Sequence, residues 1–327
     1  TTKHILVIST IISFIVVIIS YLKIAPWKEH LCSKPDNNTC HSLKWPWINK
    51  NVVLNSINYF VLFTIILYFF YQTKNIYLLK KNILIDLAAD FRLNKISEYL
   101  KWYKQKHNSP KNINKSIYAL PEISENKVKN FKIISCPGCY PTSILLPLTP
   151  LIKKDLIKTN NLIIDSKSVY SGAGRGVHQK FRNKNLYESL SAYGVGFHRH
   201  NSEIQQFLRK FTNKNFQFSF TPHLSPMFRG ILSTIYLDLE KNVNQSNIIK
   251  TLEMSYKGEN FVKILDSDKL LSTNDVINTN NCFITVCKSK YKNKIIIISA
   301  IDNLIKGGAG QAVQNLNNKF NFPERTA

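Results

Sequence analysis

The sequence predicts an α/β protein, and three observations carry that prediction. Short β-branched runs alternate with stretches of helical length between residues 82 and 168. A tight turn, Cys136-Pro137-Gly138-Cys139, joins one of these strands to the uncharged apolar stretch 143–151. Four more strand-like runs lie between 216 and 301, apolar and β-branched in the manner of a mixed sheet.

In chain order, 82–88 reads as a strand, 96–106 as a helix, 131–135 as a strand leading into the Cys139 turn, and 143–151 as a buried helix. Strands follow at 162–168, 216–220, 230–239, 282–288 and 294–301, and a C-terminal helix begins over 311–318. The Lys/Asn-rich stretches 104–116 and 241–250 read as solvated surface. A thiol just before a helix sits at the positive end of the helix dipole beside unpaired backbone N–H groups, which lowers its pKa and stabilises a developing oxyanion. Cys139 is therefore a candidate nucleophile, with a space-filling buried cysteine as the alternative.

The block Cys136-Pro137-Gly138-Cys139-Tyr140-Pro141-Thr142 is similar to the N-P-G-C-Y-P-T signature of N-acetyl-gamma-glutamyl-phosphate reductases, NADP-dependent enzymes of arginine biosynthesis. Further blocks match in order. They are Ile85-Asp86-Leu87-Ala88-Ala89-Asp90-Phe91-Arg92, Ser171-Gly172-Ala173-Gly174-Arg175, the run from Tyr193 through His198-Arg199-His200 to Glu203, Phe220-Thr221-Pro222-His223-Leu224, and the segment from Asp302-Asn303 through Lys306-Gly307 to Asn315. Together they cover about three quarters of the chain.

The resemblance implies a Rossmann-type cofactor domain formed by 82–138 with 303–327, and an α+β catalytic and dimerisation domain with a mixed sheet over 139–302. It also implies NADP(H) as cofactor, an acyl-phosphate substrate, a homo-oligomer and a cytoplasmic location. The implied chemistry is thiolate attack on the acyl phosphate, loss of phosphate to leave a thioester, hydride addition from NADPH, and collapse of the thiohemiacetal to the semialdehyde. Cys139 is then the nucleophile and His200 its base and ion-pair partner, while Tyr193, His198 and Glu203 fall beside the substrate. Ser171, Gly172, Asn303, Lys306 and Gly307 fall beside the nicotinamide. Arg92 and Arg175 are candidate anion clamps, because guanidinium groups pair bidentately with carboxylate or phosphate; surface salt bridges are the alternative. If 198–200 is extended, His198 and His200 share one side and Arg199 points away. The sequence departs from the family pattern at Cys136, where Asn is usual, and at Ala119 and Val169, where Gly is usual. Cys136 and Cys139 form a C-x-x-C, whose oxidation would silence the nucleophile.

The front of the chain reads differently. All 11 glycines lie from Gly138 onward, so the glycine-rich phosphate loop of a dinucleotide fold is missing. Residues 5–22 form an uncharged apolar run, about 27 Å long as a helix, and 52–71 form a second apolar run; both have the length of a membrane span. Residues 1–81 thus stand as a membrane hairpin, a divergent cofactor domain, or the translation of damaged sequence. Cys32 and Cys40 match no strong zinc spacing, and no metal is expected. The net charge of +24 is spread along the chain without a nucleic-acid-binding signature, which argues against a nucleic-acid partner.

The leading expectation is an acyl-phosphate reductase. Aspartate-semialdehyde dehydrogenase is the nearest enzymatic rival. The others are a cofactor-less, inactive or membrane-tethered family member and a cysteine hydrolase that uses Cys139 and His200 alone.

Overall fold

A computed structural model describes residues 82–172, 188–267 and 269–326. Both membrane-length runs, Cys32, Cys40 and Arg175 lie outside the described residues. Among the described residues no helix is long and apolar enough to cross a membrane.

Three strands, β1 (Leu84–Asp86), β2 (Ser116–Tyr118) and β3 (Ile133–Ser135), form a parallel sheet in the order β1-β3-β2. Their carboxyl ends lie level, since Asp86 and Tyr118 both sit opposite Ser135. Ligands of open parallel sheets collect beyond such ends, and the turn that leaves β3 there carries Cys139. Helix α1 (Ile96–Tyr103) connects β1 to β2 and stops at Lys104, whose φ of 55° closes it with a left-handed cap. The stretch 110–115, expected at the surface, is a short 3₁₀ helix with Asn112 and Ile113 buried.

Helix α2 (Cys139–Lys153) begins at Cys139 itself, four residues earlier than the apolar pattern predicts. Pro141 is tolerated because the first turn of a helix needs no N–H. Every residue from Tyr140 to Ile152 is buried, so the helix is apolar all round, as a central element must be. Pro150 cannot donate to Leu146 O, and the buried Tyr256 hydroxyl donates to that carbonyl instead.

The larger sheet has seven strands in the order β5-β6-β4-β7-β10-β9-β8. These are β4 (Leu162–Val169), β5 (Ser191–Ala192), β6 (Phe218–Ser225), β7 (Ile231–Asp238), β8 (Val262–Leu265), β9 (Cys282–Lys288) and β10 (Lys294–Ile301). It is mixed: β4–β6 and β8–β9 are parallel, and the remaining pairs antiparallel. Its inner face packs on α2 through β7 and β10, and Ile164, Ile235, Ile284 and Ile297 of that face are fully buried in one core. Under the helix, Ser143, Ser233 and Ser166 satisfy one another at 2.8 and 2.7 Å, so the buried hydroxyls are paired. The outer face is partly bare: Ile163 and Tyr236, directly opposite in the β4–β7 register, are 46% and 42% exposed.

Two helices escaped the sequence pattern. Helix α3 (His200–Leu208) begins at the last residue of the histidine block, and α4 (Gln245–Ser255) overlaps the stretch 241–250 read as solvated surface. Asn244 and Asn247 cap α4 reciprocally, and Ile248 and Leu252 carry it into the core. Helix α5 (Gly310–Phe320) closes the described chain. Just before it, the fully buried Lys306 pairs with the fully buried Glu122, and Gln314 bonds both, at 2.7 Å to Lys306 and 3.0 Å to Glu122.

Replacing Tyr256 with Phe leaves Leu146 O buried without a donor. The expected loss is about 1–3 kcal/mol of unfolding free energy, read from urea titration. A change below ~0.5 kcal/mol would mean that the carbonyl finds another partner.

Candidate active site

The site is organised below its surface by Glu203. This carboxylate is fully buried at the first turn of α3. Its Oε2 accepts from Tyr118 OH at 3.1 Å and from the Gly138 N–H at 3.0 Å. Oε1 pairs with Arg92 Nη1 at 3.2 Å, and Arg92 Nη2 donates to Leu87 O at 2.8 Å. One turn back on the same helix, His200 Nε2 stands 3.6 Å from Oε1, a contact too long for a hydrogen bond. The His200–Glu203 spacing of three is the helical neighbour distance. Arg199 is already helical at φ −53°, ψ −30°, so the extended arrangement expected for 198–200 is not adopted.

Above this support, Cys139, His198, His200, Tyr193, Gly172 and Asn303 line one cavity of about 360 Å³, together with Tyr140, Trp102 and Arg199. His198 accepts the His200 N–H at Nδ1 (3.2 Å) and packs edge-on against Tyr140, Tyr193 and Phe220. Tyr140 OH reaches Ser168 Oγ at 2.6 Å and Tyr193 OH at 3.0 Å, which fixes both phenols. Behind Cys139, Gly307 packs so closely that a Cβ there would lie 2.6 Å from Cys139 Cβ. Asn303 joins the wall by accepting from the Gly230 N–H (2.9 Å) and donating to Ser171 Oγ (3.0 Å).

Three residues read from the sequence as ligand contacts are placed elsewhere. Arg92 and Glu203 face each other beneath the cavity, and Lys306 is committed to Glu122 and Gln314 with no exposed surface. Arg199, expected to point away, lines the cavity and stands 6.0 Å over the Tyr103 ring. The apolar spacing of Ile204, Phe207 and Leu208 behind His200 and Glu203 is the signal that marks a helix here and turns Arg199 inward.

The resting charges also differ from expectation. Burial pushes the Cys139 thiol up, outweighing the nearby Arg92 charge and the N–H groups of Tyr140 and Cys139, which pull it down. His200 is held well below the ordinary imidazole range, first by burial and then by His198, Arg92 and Arg199. Both shifts work against charge on the pair, and His200 Nδ1 has no hydrogen-bond partner among the described residues. Cys136 is a buried free thiol pushed up to about 11 by burial and contacts Asn315 on the far side of the turn. Neither Cys136 nor Cys139 is in a disulfide.

This combination of a cysteine at the head of a buried helix, an imidazole beside it and a mixed sheet behind defines a semialdehyde-dehydrogenase-type protein. Residues 139–303 match the family model described as the semialdehyde dehydrogenase dimerisation domain. The fold superposes on aspartate semialdehyde dehydrogenase II of Vibrio cholerae with a TM-score of 0.52 at 15% identity, over 65% of this chain and 70% of that one, a likeness of fold alone. The sequence is 45% identical over 248 residues to N-acetyl-gamma-glutamyl-phosphate reductase of Desulforamulus reducens, spanning 76% of this chain and 72% of that protein. It is 44% identical over 243 residues to the probable chloroplastic N-acetyl-gamma-glutamyl-phosphate reductase of Oryza sativa subsp. japonica, over 74% of this chain but 59% of the relative's length. The chain belongs to the N-acetyl-gamma-glutamyl-phosphate reductase family. Dehydrogenases and reductases of this type use a nicotinamide cofactor.

Two outcomes follow from the site. A methyl at Gly138 would lie 2.4 Å from His200 Nε2 and 2.9 Å from Arg92 Nη1, so Gly138→Ala displaces the imidazole and lowers Cys139 reactivity toward iodoacetamide, measured by mass spectrometry; unchanged reactivity would refute the close packing. His198 is pushed down to about 4 by burial and by Arg199. Its folded pKa lies below its unfolded value of about 6.5, so its contribution to stability is full above that value and is lost as pH falls toward about 4. Urea titrations across that window should show a steeper loss for the wild type than for His198→Gln, and identical slopes would overturn the assignment.

Proposed function

We propose that the chain catalyses the reaction named for its relatives, the reduction of N-acetyl-glutamyl 5-phosphate to the 5-semialdehyde with release of phosphate. The observation that carries this reading is the convergence of Cys139, His198 and His200 on one cavity, in a chain of this family. Cys139 Sγ forms a bond to the acyl carbon, the carbon–oxygen bond to phosphate breaks with its electron pair, and His200 takes the thiol proton. Because both groups rest neutral, the proton moves as the sulfur attacks, and the N–H groups at the head of α2 offset the growing negative charge.

The residues present fit the reacting end of a nicotinamide. Ser171, Gly172, Asn303 and Gly307 would hold it, with Gly172 and Asn303 on the cavity wall and Gly307 leaving the space a side chain would fill. NADPH is the proposed cofactor, and when bound it supplies the hydride. Residues 82–138 with 303–327 serve the cofactor side, and 139–302 serve catalysis and dimerisation in the cytoplasm. The bare outer sheet face around Ile163 and Tyr236 supports a homo-oligomer that covers it.

The test is phosphate-dependent oxidation of N-acetylglutamate 5-semialdehyde by the purified full chain, followed by NADPH formation. Cys139→Ser is expected to abolish it, and His200→Asn to lower kcat by roughly 10²–10⁴-fold. NADPH formation that survives Cys139→Ser, or phosphate release without NADPH that continues beyond one equivalent per Cys139, would overturn the reading.

A further inference from the structure

Three described arginines stand in or around the site, and two are already committed: Arg92 to Glu203 and Arg229 to Asp302, each at 3.2 Å. Arg199 forms no ion pair among the described residues, and its exposed side chain lines the cavity with Cys139, His198 and His200. No Asp or Glu contributes to that wall among the described residues, so the guanidinium charge meets no carboxylate there. Its backbone is fixed, because the Arg199 carbonyl accepts from Ser202 Oγ at 2.7 Å and from the Ser202 N–H at 3.3 Å. The ring of Tyr103 lies beneath the guanidinium. The same charge holds down the pKa of both His198 and His200, so it acts on the space around the nucleophile.

We infer that Arg199 is the specificity-determining cation of the cavity and receives an oxyanion of the substrate. This rests on the reductase reading of the same site. The planar fork suits a two-oxygen anion, which both ends of an N-acyl-glutamyl phosphate provide as carboxylate or phosphoryl. Anion binding would also weaken the guanidinium field on His198 and His200. Imidazole basicity would then rise only when substrate is seated, which couples recognition to proton acceptance by His200.

The experiment is alkylation of Cys139 by iodoacetamide in the full chain, with and without inorganic phosphate or N-acetylglutamate, in the wild type, Arg199→Gln and Arg199→Lys. The expected result is protection of wild-type Cys139, loss of that protection in Arg199→Gln, and an intermediate value in Arg199→Lys. Loss for N-acetylglutamate alone assigns the carboxylate end, and loss for phosphate alone assigns the phosphoryl end. In turnover, Arg199→Gln should raise KM about 10- to 100-fold with thermal stability unchanged, matching the loss of one charge-assisted contact. Equal protection in wild type and Arg199→Gln overturns the inference. Absence of protection in the wild type overturns it too, and Cys139-dependent turnover in the same preparation then decides whether the reductase reading falls with it.

Discussion

A single buried carboxylate fixes the geometry on which the rest of the site depends. Glu203 draws Arg92 from beyond β1, Tyr118 from the end of β2, the Gly138 N–H from the nucleophile turn and His200 from its own helix into one cluster. A carboxylate taken out of water is unfavourable by several kcal/mol unless charge and hydrogen bonds compensate it. Here Arg92 supplies the charge and the Tyr118 hydroxyl and Gly138 N–H supply the hydrogen bonds, so loss of any one leaves the carboxylate undercompensated. The small parallel sheet cannot shift against α3 without uncovering that charge.

The same construction explains the resting state of the pair. Burial weighs against charge on both Cys139 and His200, and the cations nearby act in opposite senses, with Arg92 favouring thiolate while Arg92 and Arg199 disfavour imidazolium. A neutral pair protects the sulfur from indiscriminate reaction, since the thiolate is the reactive species.

Much of this was legible in the sequence. The strands at 282–288 and 294–301 and the larger sheet could be read because their side chains alternate or run apolar without interruption. Cys139, His198, His200, Tyr193, Gly172 and Asn303 were placed together by motif, and the fold brings them to one cavity. What escaped was tertiary in origin. No local pattern distinguishes an arginine facing Glu203 from one lining the cavity, which is why Arg92 reads from sequence as a ligand contact and Arg199 as pointing away. Helix α4 was hidden by its Lys/Asn composition, since only Ile248 and Leu252 carry its burial. The start of α2 was hidden by Pro141, which breaks helices everywhere except in their first turn.

The ion pair between Lys306 and Glu122 joins residues 184 positions apart, and it has a consequence for biosynthesis. At ordinary elongation rates about 10–40 s separate the two partners on the ribosome. Through that interval Gly307 has not yet closed against Cys139, and the carboxylate of Glu122 awaits its cation. Cys139 therefore exists as a covalent fact well before it exists as part of a pocket, and the nascent chain carries it open until α5 docks.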